Sequence, residues 1–195
     1  MTRAFASLIA AVTLLAAGHA QAQSFDFMGG PDFGGGRYFG GGGSGPIPRT
    51  TVYFNSRYAP GTIVVNTAER RLYLVLPNGQ ALRYGIGVGR DGFRWQGLVK
   101  ITQKKEWPDW TPPEEMIQRQ PYLPRWMAGG PGNPLGARAM YLGNTVYRIH
   151  GTNQPQTIGT AVSSGCFRLT NPDVSDLYDR IPVGTKVIIR QRPEV

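Results

Sequence analysis

Apolar residues in this chain come in short β-rich runs broken by tight-turn signals, a pattern that a helical bundle or a doubly wound fold cannot use. Residues 62–66 and 71–76 are such runs. Pro77-Asn78-Gly79 then separates Leu76 from a further run at 80–88, which marks a hairpin. Residues 98–104 read as another strand, and Gly143-Asn144 between 139–142 and 145–150 is a second hairpin signal. Asn171 reads as a helix N-cap, with Pro172 at the first helical position and Asp173 in the first turn. That helix runs to about Arg180, ahead of Pro182 and Gly184, and residues 185–190 close as a strand. Residues 107–136 carry seven prolines with Trp107, Trp110 and Trp126, and only 114–119 can form a short helix. Loops of this length are usually functional. The expected domain is mostly β with one or two short helices.

The first quarter of the chain bears on where it acts. Arg3 precedes an apolar stretch, residues 4–17, and Ala20-Gln21-Ala22 is a small-x-small cleavage pattern. Residues 1–22 therefore read as a secretory signal peptide, since the apolar core is too short to span a bilayer. Residues 23–50 read as a glycine-rich flexible linker, with ten glycines between Gly29 and Gly45. Residues 51–195 are the folded unit. Cleavage removes one basic residue of 21 and none of the 12 acidic ones, so the mature chain keeps 20 − 12 = +8. Outside the cytoplasm that charge argues for anionic envelope material and against nucleic acid. With one cysteine, neither an internal disulfide nor a several-cysteine zinc site is available.

Two residues carry the chemistry. Cys166 follows Ser163-Ser164-Gly165 and precedes Arg168 and the expected helix. Polar and glycine neighbours are poor core fillers, and a cation with a helix N-terminus favours a thiolate. His150 is the one histidine left after cleavage, because His19 leaves with the signal. It ends a strand before Gly151-Thr152, and a short loop can return the chain so that imidazole meets sulfur. One histidine and one cysteine without nearby carboxylates do not make a metal site. Gly87-x-Gly89-x-x-Gly92 matches a dinucleotide fingerprint, but Phe93–Gly97 leads into another strand where the fingerprint needs a helix. A glycine-rich hairpin turn is the expected explanation, and no cofactor is implied.

His150-Gly151-Thr152, Ser163-Ser164-Gly165-Cys166-Phe167-Arg168-Leu169, then Asn171 and Asp173 resemble the L,D-transpeptidase catalytic domain of the YkuD type. The resemblance covers most of residues 60–190, including Trp110–Pro113 and Asn133–Arg138. It implies a β-sandwich of hairpins with the catalytic cysteine on the loop before the C-terminal helix. It also implies a Cys166 nucleophile acting on peptidoglycan stem tetrapeptides in the periplasm, with His150 as the base. Gly165, Ser164, Ser163 and Gly151 would shape the oxyanion loop, and Arg168 and Arg138 would bind substrate. The acceptor would be a stem-peptide amine, a free D-amino acid or an outer-membrane protein. Water as acceptor would make the enzyme an L,D-carboxypeptidase, and a non-catalytic envelope-binding module is the rival from another class. Many members carry His where this chain has Ser164.

Overall fold

The computed structural model describes residues 45–192. The expected signal peptide and most of the expected linker lie outside the described residues. The elements follow in the order β1 (Thr50–Tyr53), β2 (Ile63–Asn66), β3 (Arg71–Leu76), β4 (Gln80–Gly85), β5 (Val88–Gly89) and β6 (Gly97–Glu106). Then come α1 (Glu114–Arg119), β7 (Arg138–Leu142), β8 (Arg148–His150), β9 (Ala161–Ser163), β10 (Phe167–Arg168), α2 (Asn171–Arg180) and β11 (Lys186–Arg190). Nine strands form one sheet in the order β1-β4-β3-β2-β11-β6-β7-β8-β10, and β5 pairs with β9 beside it. The mostly β expectation, with two short helices, is met.

β6 turns the corner of this sheet. Gly97–Lys100 pair with β11, whereas Ile101–Glu106 pair with β7, and the register shifts between Ile101 and Gln103. A bulge bends and twists a strand, so the two halves of the sheet can share one interior. They do: Ile63, Leu72 and Leu82 from one half, Met140, Ile149 and Phe167 from the other, and Val174 and Leu177 of α2 belong to one apolar cluster.

Local turn chemistry worked where it was strongest. Asn78 and Gly79 both take left-handed φ, 60° and 67°, between β3 and β4, as a tight hairpin requires. At Gly143-Asn144 the expected two-residue turn is replaced by a longer one. Leu142 N–H donates to Tyr147 O at 3.2 Å, and the Thr145 hydroxyl takes the Leu142 carbonyl at 2.7 Å, so β8 starts only at Arg148. The run at 80–88 also breaks. After Gly85 the chain leaves β3, and β5 pairs in parallel with β9. Parallel pairing recurs for β2 with β11 and for β8 with β10, so hairpins account for only part of the sheet. Packing begins before the expected domain boundary. Arg49 reaches Asp176 at 3.1 Å, and a Cβ at Gly85 would collide with Ile47.

α2 is fastened at both ends. Its N-cap is Thr170, not Asn171; the Thr170 hydroxyl accepts from Asp173 N–H and donates to the Asp173 carboxylate at 2.9 Å. Asn171 is thereby freed for another task. At the other end, Lys104 of β6 donates to the Tyr178 and Ile181 carbonyls at 2.6 and 2.7 Å. A cation that satisfies terminal carbonyls also complements the helix dipole. Lys104→Met should therefore cost about 1–2 kcal/mol of stability in urea unfolding, and Lys104→Arg should recover part of it.

Candidate active site

The site is built on two short parallel strands. β8 and β10 pair Ile149 with Phe167 and His150 with Arg168, and Leu169 N–H donates to His150 O at 2.8 Å. Side chains alternate across a strand. Ile149 and Phe167 point into the core, so Arg148, His150 and Arg168 share the opposite face. Cys166, one residue before β10, falls opposite Arg148 on that face, and Arg148 hydrogen-bonds to it. The structure thus brings together Cys166, His150, Arg148 and Arg168. It does not bring Arg138 to them. The Arg138 guanidinium lies 3.2 Å from Glu106 and over the Tyr178 ring of α2, on the core side of the sheet.

The loop before Cys166 is pinched by its own serine. Ser163 Oγ donates to Cys166 O at 2.6 Å and accepts from Gly165 N–H at 3.2 Å. Gly165 has φ +108°, and a Cβ there would overlap the Tyr147 ring, so glycine is required twice over. Trp95 completes the clamp. Its Nε1–H donates to Gly165 O at 3.0 Å while its ring stacks on Tyr147 and Phe167 at 4.8 and 5.7 Å. Ser164 is partly exposed.

His150 is buried, with 4% of its surface exposed. Its Nδ1 lies 2.6 Å from the Gly151 carbonyl. A carbonyl only accepts, so Nδ1 carries the hydrogen and the lone pair sits on Nε2. The loop beyond is held by Asn171, whose Oδ1 accepts from Ala137 N–H at 2.9 Å and Thr152 N–H at 3.2 Å. A Cβ at Gly151 would collide with that same oxygen.

The sequence model of the YkuD family, the L,D-transpeptidase catalytic domain, matches residues 60–189. The chain belongs to this family. It is 41% identical over 140 residues to the probable L,D-transpeptidase ErfK/SrfK of Escherichia coli K12, an alignment covering 67% of this chain and 44% of that protein. The chain thus spans less than half the length of that curated relative. A solved structure from Brucella melitensis, described as a probable carnitine operon oxidoreductase, is 50% identical, with TM-score 0.51, covering 74% of this chain and 94% of that one. An L,D-transpeptidase from Mycobacterium smegmatis shares the fold at 16% identity, with TM-score 0.54 and 66% and 58% coverage.

The glycine motif serves close packing of the backbone. Gly87 exchanges both backbone hydrogen bonds with Arg168 at 2.9 Å. A Cβ at Gly89 would crowd the Phe93 carbonyl and lie 3.3 Å from Gly165. These glycines let β5 run against the cysteine loop. They open no helix; Gly92, at φ +81°, does sit in a turn closed by Phe93 N–H to Arg90 O at 2.9 Å, but β5 and β6 on either side of it do not pair as a hairpin.

Electrostatics leave Cys166 and His150 both neutral at rest. Burial, then Arg168 and Arg148, pushes the His150 pKa down to about 3, against the Gly151 and Leu135 carbonyls, which raise it. Burial pushes the Cys166 thiol up, opposed by Arg148 and Arg168. Two of these participants, Arg148 and Trp95, had not been singled out from sequence. Arg148 was within reach, because it lies two residues before His150 on a strand and so shares its face. Trp95 carried no such signal.

A depressed histidine pKa has a consequence for stability. The unfolded chain takes up a proton near pH 6.5 and the native site does not, so stability is full above that pH and falls as pH drops toward about 3. The fall between pH 7 and pH 5 should be about 2 kcal/mol larger in wild type than in His150→Gln, measured by urea unfolding at the two pH values.

Proposed function

We propose that this protein is a periplasmic peptidoglycan L,D-transpeptidase exported by residues 1–22. The reading rests chiefly on one observation: Cys166 and His150 lie on one sheet face flanked by the same two arginines. In the first step His150 Nε2 takes the thiol proton, and the sulfur attacks the carbonyl that precedes the terminal D-Ala of a stem tetrapeptide. The C–N bond breaks, the departing amine takes the proton from His150, and a thioester remains. An acceptor amine then attacks the thioester, gives a proton to His150, and Cys166 leaves as thiolate to be reprotonated. The acceptor is a second stem peptide, a free D-amino acid or an outer-membrane protein.

The Gly165 N–H is engaged by Ser163, so the Cys166 N–H is the better oxyanion donor of the pair. Arg148 and Arg168 are the candidates for the substrate carboxylate. Arg138, bound to Glu106, supports this face from behind. Arg119 of α1 lies over the Phe93 ring at 4.9 Å, which ties the proline-rich segment to the loop after β5. Trp110 is buried, whereas Trp107, Trp126 and Tyr122 are exposed; the three exposed rings are the part of that segment free to meet a substrate.

Disaccharide-tetrapeptide incubated with the mature protein should yield crosslinked dimer by mass spectrometry. Tripeptide alone would make the enzyme a carboxypeptidase, and unchanged substrate would favour the binding-module reading. Cys166→Ser should abolish turnover with the fold intact. A carbapenem should add one whole drug mass to Cys166, because ring opening expels nothing, and His150→Ala should slow that addition.

A further inference from the structure

A cavity of about 470 Å³ lies far along the sheet from Cys166. It is lined from β1, β4, β3, β2 and β11 and the residues flanking them, the end of the sheet order opposite β8 and β10. Its volume is within the roughly 300–1,000 Å³ of small-molecule sites. Leu72, Leu74, Leu82 and Tyr84 face the core, so Tyr73 and Arg83 alternate to the outer face, where they are in register with each other.

The lining has two kinds of wall. One is aromatic: Phe54 stacks on Tyr73 at 4.7 Å and 18°, and Tyr53 is 79% exposed. The other is cationic. Arg83 and Arg190 face the cavity against a single carboxylate, Glu69, which already accepts the Tyr73 hydroxyl at 2.7 Å. Arg83 Nη2 donates to Thr50 Oγ1 at 3.3 Å, while its Nε is buried with no hydrogen-bond partner among the described residues. A carboxylate in the cavity complements these two guanidiniums, since a guanidinium binds one through two parallel hydrogen bonds. Exposed aromatic faces beside those donors suit a flat ring that is apolar on one face and polar at its edge.

We propose that this cavity is a second binding site, for a saccharide ring bearing a carboxylate. The choice of a sugar rests on the cell-wall reading above; the anion and the ring rest on the cavity itself. The probe is N-acetylmuramic acid, which combines both features. N-acetylglucosamine carries the ring without the acid, and D-lactate the acid without the ring. Titration calorimetry on the mature chain should give a dissociation constant on the order of 1 mM for the first, with each of the others weaker by about tenfold or more.

Arg83→Gln should remove the preference for the acid, Arg83→Lys should restore part of it, and Tyr53→Ala, at an exposed position, should weaken both sugars. Arg83→Gln should not alter turnover of a soluble tetrapeptide, and alkylating Cys166 should not alter binding. Equal affinity for the two sugars, a wild-type Arg83→Gln, or binding lost on alkylation would overturn the proposal. Turnover without sugar binding would sink this site alone. Sugar binding without turnover would sink the catalytic reading and leave this site standing.

Discussion

Everything at the reactive end of this molecule hangs on a parallel ladder two residues long. β8 and β10 meet only at Ile149–Phe167 and His150–Arg168. Two residue pairs do not hold a parallel ladder by themselves, because the loop that joins them must be ordered first. Order comes from the flanks. Asn171 Oδ1 takes the amides of Ala137 and Thr152, which ties the chain after His150 to the start of β7. Ser163 closes the turn ahead of Cys166, and Trp95 clamps the Gly165 carbonyl from above. Asn171 in turn depends on α2, whose ends are tied by Thr170 and Lys104. The position of the sulfur is therefore a long-range property of the fold, and only locally a property of its loop.

The electrostatics around Cys166 and His150 make them poor proton-transfer partners at rest. Arg148 and Arg168 favour a thiolate at Cys166 but disfavour an imidazolium at His150. Moving the proton from sulfur to nitrogen is thus helped at one end and opposed at the other. A substrate carboxylate placed on the arginines would lift the opposition to imidazolium, since an opposite charge nearby favours the charged form. On the proposed reading, binding and proton transfer are coupled: an empty site holds a neutral thiol, and a filled one is ready to react.

Much of this was readable in the chain, and the failures have identifiable causes. Strands with β-branched runs and the Asn78-Gly79 turn were legible because propensity and turn chemistry agree there. The cap of α2 was misassigned by one residue, since Thr170 and Asn171 are both good caps and only the demand of Ala137 and Thr152 for an acceptor separates them. The turn at Gly143 was misjudged because the Thr145 hydroxyl competes for the Leu142 carbonyl. Parallel partners such as β2 with β11 join residues more than a hundred positions apart, and no local pattern announces them. Arg138 entered the candidate site through its motif, while strand alternation sends it to the α2 side, beside Tyr178.

Strand geometry also separates the roles of the two arginines beside Cys166. Arg168 is 8% exposed, and its backbone is bonded in both directions to Gly87. Arg90 adds to the positive field around it. A guanidinium so enclosed contributes mainly a fixed charge. Arg148 sits at the start of its strand, after a five-residue turn, with its guanidinium over the Tyr141 ring at 5.0 Å and its Nε buried without a hydrogen-bond partner among the described residues. It is partly exposed where Arg168 is buried. On the proposed reading, Arg168 sets the potential around Cys166 and Arg148 is the better candidate to grip an incoming carboxylate, within reach of the thiol.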